Sequence, residues 1–153
     1  MQRQHTVTTD IVYSTTHSAE WNYERFDELL STSLDIPVSI YACNIPSLQA
    51  TVRYMREHLL LSFTEISQLL GRAESTIRVT YRNAPKTALL DDNFLRMPIN
   101  YFEKGLSPLE TVVFFLREKG LRNVEVASTL KRDPRTTSLV FKRAKEKGVV
   151  LNA

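Results

Sequence analysis

Two stretches of the chain repeat one arrangement of hydrogen-bonding side chains. The first is "GRAESTIRVTYRNA", residues 71–84, and the second is "KRDPRTTSLVFKRA", residues 131–144. Each combines hydroxyl groups with arginine or lysine at three- and four-residue spacings, which place them on one face of a helix. Guanidinium and ammonium groups form their strongest hydrogen bonds with anionic oxygens. These two stretches therefore predict surfaces that bind a partner rather than a catalytic centre.

The positive charge of the chain is concentrated near one end. The whole sequence holds 20 Lys and Arg against 17 Asp and Glu, a net charge of +3. Residues 119–147 alone hold nine basic and three acidic residues, a local net charge of +6, whereas residues 10–35 are acidic. This asymmetry predicts a polyanionic partner for the C-terminal part. A lysine-rich helix that is merely solvated is the alternative.

Residue types that support catalysis or metal binding are scarce. The single cysteine excludes a disulfide framework and a CxxC zinc site, and the three histidines are widely separated. Four glycines are too few for a phosphate-binding loop, and no Ser, His and Asp grouping has motif spacing. We expect no enzyme activity, no metal and no cofactor.

No stretch of the sequence predicts a membrane span or an export signal. No apolar run reaches the roughly 18 residues that a membrane span needs. The start "MQRQHTVTTD" lacks the apolar core of a signal peptide. The expectation is a cytoplasmic, nucleoid-associated protein with no membrane partner.

The chain contains an internal repeat. "DIPVSIYACNIPSLQATVRYMREHL" aligns with "RMPINYFEKGLSPLETVVFFLREKG" at an offset of 61 residues, which pairs Pro37 with Pro98. After one residue of slippage the match continues at an offset of 60, which pairs Leu70 with Leu130. Two copies of one unit are the simplest explanation.

Capping signals divide each copy into helices. Ser107 and Glu110 form a capping box with a proline between them at the first helical position, and Ser62 and Glu65 form a second box. Gly71 allows a sharp turn before the next helix, whose apolar residues recur at helical spacing. In the second copy Asp133 caps the corresponding helix. Each copy therefore predicts three helices behind a short extended leader, "IPVSIY" or "MPINYF".

The predicted fold class is all-α, with two tandem three-helix units, short extended leaders and an N-terminal amphipathic helix. That helix presents Phe26, Leu29, Leu30 and Leu34 and covers the first copy, with homodimerisation as the alternative. The predicted organisation follows the chain: a disordered tail (1–18), the N-terminal helix with the first unit (19–84), a linker (85–96), the second unit (97–148) and a C-terminal tail (149–153).

Two helices joined by a tight turn and preceded by a supporting helix are the parts of a helix-turn-helix domain. That geometry needs a small residue where the helices cross, glycine at the turn and an aliphatic residue that anchors the last helix. Ser67, Gly71 and Ile77 hold these places in the first copy. Ala127, Lys131 and Thr137 hold them in the second, which fits the pattern only in part.

The segment "LSFTEISQLLGRAESTIRVTYRNA" resembles the fourth region of sigma factors and related bacterial and archaeal helix-turn-helix regulators. "LRNVEVASTLKRDPRTTSLVFKRAKEKG" is similar but more divergent, and together the copies cover about residues 36–148. The resemblance implies sequence-specific binding of double-stranded DNA by the last helix of each copy. RNA polymerase, another regulator or a second copy of the chain stay open as protein partners.

Outward-facing side chains near the N-terminus of a groove-bound helix reach base edges. Other basic and hydroxyl side chains on this surface would meet phosphates and set the register without reading sequence. The residues assigned to base reading are Ser75, Arg78, Arg135 and Ser138. The residues assigned to the DNA backbone are Arg72, Thr76, Arg82, Arg132, Thr136, Lys142, Arg143 and Lys145.

Two other functions remain open at this stage. Helix-turn-helix folds also serve as protein-interaction adaptors, which exposed apolar side chains at Val79 and Leu139 would favour. Paired units of this kind also recognise DNA ends in transposase or recombinase systems, where the catalytic domain would belong to a separate protein.

Overall fold

The computed structural model describes residues 34–148, and the predicted terminal tails and most of the predicted N-terminal helix lie outside this range. The described part is mostly helical, as an all-α chain should be, but it also contains a small two-stranded sheet. Its elements in chain order are β1 (Asp35–Pro37), a first 3-10 helix (Val38–Ala42), α1 (Ser47–Glu57), α2 (Phe63–Leu70), α3 (Glu74–Asn83), β2 (Arg96–Pro98), a second 3-10 helix (Ile99–Lys104), α4 (Pro108–Glu118), α5 (Asn123–Leu130) and α6 (Pro134–Glu146).

The helices begin where the capping signals predict. Ser62 and Glu65 form a reciprocal capping box at α2, and Ser107 and Glu110 form one at α4. The Asp133 carboxylate accepts a hydrogen bond from the Arg135 backbone N–H at the start of α6. Each cap satisfies backbone N–H groups that have no partner in the first helical turn, which fixes where the helix starts. No helix within residues 34–148 is long and apolar enough to cross a membrane.

The two leaders form the sheet. Each begins as a three-residue strand and continues into a 3-10 helix after a proline. β1 and β2 pair antiparallel, with Ile36 opposite Met97, and both of these side chains are fully buried. The sheet joins the beginning of one repeat copy directly to the beginning of the other.

The two copies pack around one continuous hydrophobic core. α1 packs against its counterpart α4, and the buried residues of both copies belong to a single cluster. α2 contacts the second 3-10 helix, while α5 contacts the first. Each copy therefore completes its core with an element of the other.

The segment between the copies is fixed by two arginines. The buried Arg53 of α1 donates to the backbone carbonyls of Pro85 and Thr87 and forms an ion pair with Glu57. Arg96 donates to Asp35 at 2.7 Å and to the Tyr54 hydroxyl at 2.9 Å. The hydrogen bond to Asp35 is the main cause that raises the pKa of Arg96 above its ordinary value. These contacts attach the connecting segment to α1 and to the sheet.

The turns on either side of α2 and of α5 contain left-handed backbone, and in each pair of turns glycine occupies only one of the two positions. The turn before α2 has Leu60 (φ 59°) where the turn before α5 has Gly120 (φ 97°). The turn after α2 has Gly71 (φ 64°), and the turn after α5 has Lys131 (φ 53°). Lys131 therefore adopts the left-handed conformation that Gly71 has in the first copy. This conformation is strained for lysine because its Cβ crowds the backbone.

We expect Leu60→Gly and Lys131→Gly each to stabilise the protein by about 0.5 kcal/mol, because relief of left-handed strain exceeds the added entropy of the unfolded chain. Leu60 is 77% exposed, so its removal forfeits little burial. Gly71→Ala is the matched opposite change, since its site has open space and only the backbone conformation opposes a side chain. It should destabilise by about 1 kcal/mol in urea unfolding. A clear loss of stability in both glycine variants would contradict this explanation.

Candidate nucleic-acid interface

The last helix of each copy is anchored by one buried face. In α3, Ile77 is fully buried, and Ala84 just after the helix is also buried. In α6, Thr137 takes the place of Ile77 and is equally buried. Its hydroxyl hydrogen-bonds with Asn123 at 2.9 Å and Pro134 at 3.0 Å, which compensates for the polar group in the core. Threonine thus occupies the aliphatic position without an unsatisfied hydroxyl.

The turns before α3 and α6 close in the same way. The Arg72 backbone N–H donates to the Ser67 carbonyl at 3.1 Å, and the Arg132 N–H donates to the Ala127 carbonyl at 2.9 Å. Ser67 and Ala127 are the small residues that the sequence places at the helix crossing. The two turns therefore set α3 and α6 in comparable positions despite the different residues at Gly71 and Lys131.

The four side chains predicted to read bases are all exposed: Ser75, Arg78, Arg135 and Ser138. In α3, Ser75 is the second helical residue and Arg78 lies one turn later. In α6, Arg135 is the second residue and Ser138 lies one turn later. Both helices therefore present one hydroxyl and one guanidinium near their N-termini, in opposite order along the chain.

Arg78 is held in place by its own helix. Its guanidinium forms an ion pair with Glu74 at 2.6 Å, and the Thr64 hydroxyl donates to the other Glu74 oxygen at 2.8 Å. These hydrogen bonds, first that of Arg78 and then that of Thr64, hold the pKa of the Glu74 carboxyl below its ordinary value. Glu74 therefore remains anionic at neutral pH and restricts the conformations of Arg78.

An aromatic ring packs against the guanidinium of Arg78. The centre of the Phe63 ring lies 4.7 Å from the Arg78 guanidinium and 4.4 Å from the Arg56 guanidinium. The Tyr81 ring packs edge-on against the Phe63 ring. Such cation–π contacts stabilise a guanidinium while leaving its N–H groups available. The spacing along α3 carries no information about Phe63 and Arg56, because they lie on α2 and at the end of α1. Only the folded arrangement identifies them.

Arg135 has no comparable constraint. Its side chain is exposed and forms no ion pair with any residue in the range 34–148. α6 also carries only one acidic residue, Glu146, at its far end. The outer face of α6 is therefore more positive and less internally paired than that of α3.

Most residues predicted to meet the DNA backbone lie on open surface. The exposed members of that set are Arg72, Thr76, Arg82, Thr136, Lys142, Arg143 and Lys145. The Lys145 ammonium also lies 5.0 Å from the Phe141 ring, whose surroundings include the Arg117 guanidinium at 4.3 Å. Arg72 precedes α3, whereas the other exposed cations of the set lie in the later turns of the two helices, Arg82 in α3 and Lys142, Arg143 and Lys145 in α6.

Arg132 differs from the rest of that set because it lies between the two copies. It is half-buried, and its guanidinium donates to the Ser47 hydroxyl at 3.3 Å, across the junction with α1. Its Nε atom is buried and has no hydrogen-bond partner in the described part of the chain. Together with Ser47 it lines an open cavity of about 510 Å³. Arg132 thus contacts the other copy, whereas its counterpart Arg72 is exposed.

Two apolar side chains lie on the outer faces of the same helices. Val79 of α3 is 41% exposed and Leu139 of α6 is 49% exposed. They occupy equivalent places in the repeat. Both side chains therefore lie on the exposed surface of their helices.

No group of His, Cys, Asp and Glu side chains suited to a metal ion occurs among residues 34–148. Comparison with known proteins gives no further assignment, because no family model, no curated protein and no solved structure matches the chain.

Proposed function

We propose that this protein binds double-stranded DNA in a sequence-specific manner, as a transcriptional regulator that places α3 and α6 in the major groove. The observation that carries the proposal is that the two helices have the same arrangement of buried and exposed residues. Each is anchored by one buried residue, Ile77 or Thr137, and each exposes a hydroxyl and a guanidinium near its N-terminus. Exposed N-terminal side chains of a recognition helix are the ones that reach base edges.

The two helices would contribute different parts of the binding energy. α6 carries Arg135, Lys142, Arg143 and Lys145 against one carboxylate, so it suits contacts with phosphates. α3 carries Arg78 and Arg82 together with Glu74, which phosphates repel. The first copy therefore favours selective contacts, and the second favours affinity that is independent of sequence.

In DNA binding, Glu74 would orient the guanidinium of Arg78. A guanidinium that is already fixed loses less conformational entropy when it binds, and bidentate contact with guanine requires a defined orientation. The Arg78 guanidinium donates two hydrogen bonds to the Glu74 carboxylate and lies over the Phe63 ring, and these contacts provide that orientation. Glu74 should therefore lower affinity for DNA in general while it sharpens the preference for one sequence.

A protein-interaction adaptor is the second candidate function, and the exposure of Val79 and Leu139 favours it. In the DNA account the same side chains contact thymine methyl groups or the groove wall. An adaptor would bind its partner with weak dependence on salt and without regard to DNA. Salt dependence therefore separates the two candidates.

We expect the affinity for duplex DNA to fall linearly on a log–log plot against salt concentration, because phosphate contacts release counterions. Lys142→Ala should weaken binding to every duplex by a similar factor and reduce the salt slope by about 1. Fluorescence anisotropy with labelled random-sequence duplex measures both quantities.

The matched control for the salt titration is Lys104→Ala, which removes one exposed lysine from the second 3-10 helix, outside α3 and α6. Its salt slope should equal that of the wild type. Absence of duplex binding at low salt would refute the proposed function. If Lys104→Ala and Lys142→Ala lowered the affinity for duplex DNA equally, the binding would depend on total charge and not on a defined surface.

Glu74→Gln should raise the affinity for random duplex about fivefold, because it removes a negative charge from the surface that faces phosphates. The same change should reduce the difference between a selected site and random DNA, since Arg78 loses its charged partner. Competition binding with both duplexes measures the two effects. Glu103→Gln, an exposed carboxylate on the second 3-10 helix, is the control and should change neither. Unchanged or weaker binding by Glu74→Gln would contradict this role.

A further inference from the structure

The sheet relates the two copies by rotation. β1 and β2 run antiparallel, and the central pair, Ile36 opposite Met97, consists of residues that are equivalent in the repeat. An antiparallel pair centred on equivalent residues has a local two-fold axis through that centre. Two copies related by simple translation along the chain would not place equivalent residues opposite one another in this way.

Two backbone hydrogen bonds follow the same symmetry. The Val38 N–H donates to the Leu95 carbonyl at 2.8 Å, and the Ile99 N–H donates to the Leu34 carbonyl at 3.1 Å. At the repeat offset of 61 residues, Val38 corresponds to Ile99 and Leu34 corresponds to Leu95. Each bond is therefore the rotated copy of the other, as in an isologous dimer interface.

Helix packing extends the symmetry beyond the sheet. α1 contacts its own counterpart α4, and the contacts of α2 with the second 3-10 helix match those of α5 with the first. Reciprocal contacts of this type close an interface between two units and leave no free site for a third. The chain is therefore built as a pseudo-symmetric pair, with both halves in one polypeptide.

We propose that one chain binds one DNA duplex at an imperfect inverted repeat, with α3 on one half-site and α6 on the other. This inference rests on the proposed function. A two-fold rotation leaves the direction of its own axis unchanged, so equivalent surfaces of the two copies lie at the same end of the axis. A duplex that crosses the axis at that end can contact both surfaces, and the two copies then lie on it in opposite orientations. DNA has matching two-fold axes perpendicular to its length, and symmetric helix-turn-helix pairs therefore select palindromic sites.

The inverted repeat must be imperfect because the reading faces differ. α3 presents Arg78 with Glu74, whereas the equivalent places of α6 hold Ser138 and Pro134. A half-site that suits one helix will not suit the other equally. The complex therefore has a fixed orientation on the DNA, which a homodimer on a perfect palindrome lacks.

The test is selection of bound sequences by the full chain from a duplex pool with a random window of about 30 base pairs, three helical turns. The expected consensus has two half-sites in inverted orientation, with centres about one helical turn apart. Synthetic duplexes then compare the two half-sites in inverted and in direct orientation at equal spacing. We expect at least about tenfold tighter binding to the inverted form, since only there do both helices engage at high effective concentration.

Two variants assign the half-sites. Arg78→Ala should relax the preference in one half-site only, and Arg135→Ala should relax it in the other only. Native mass spectrometry should find one chain on each duplex. A consensus with a single half-site, a direct repeat, or two chains on one inverted repeat would overturn the inference while the proposed function stood. No enrichment of any sequence, with no duplex binding at low salt, would remove the proposed function itself.

Discussion

The antiparallel pairing of β1 and β2 determines the arrangement of the whole described structure. Ile36 and Met97 form its centre, and both are fully buried in the hydrophobic core that the two copies share. A sheet of two three-residue strands is too small to be stable alone, so its stability comes from the apolar core that surrounds it. The strands and the core depend on each other, and neither copy has a separate core.

This dependence links the sheet to the exposed helices. α2 and α5 each rest on the 3-10 helix of the opposite copy, and they carry the turns that position α3 and α6. Arg53 and Arg96 fix the connecting segment, so the chain between the copies does not act as a free tether. The two outer faces therefore keep a fixed separation and orientation, as a bipartite binding surface requires.

Local structure could be predicted from the sequence because local signals specify it. The capping boxes at Ser62 and Ser107 and the buried Ile77 satisfy requirements within one or two helical turns. The left-handed conformation of Lys131 could not be predicted from its residue type. Its φ of 53° is seen only in the folded structure, where Lys131 takes the place that Gly71 has in the first copy.

The relative orientation of the two copies, unlike the helix boundaries, could not be predicted from the sequence. A sequence repeat is compatible with translation and with rotation, and the leaders alone do not indicate which strand they pair with. The support of Arg78 by Phe63 and the position of Arg132 against Ser47 arise from contacts between separate elements. Periodicity thus predicts that residues such as Ser75 and Arg135 are exposed, whereas the contacts that constrain Arg78 and Arg132 are seen only in the tertiary structure.

A nuclear magnetic resonance titration of the full ¹⁵N-labelled chain with a duplex of about 20 base pairs, two helical turns, tests most directly whether both helices bind one DNA molecule. We expect the backbone amide signals of α3 and α6 to shift together and both sets to reach saturation at one duplex per chain. Signals of β1 and β2 should remain unchanged. Shifts confined to one of the two helices, or shifts centred on the segment between the copies, would contradict this expectation.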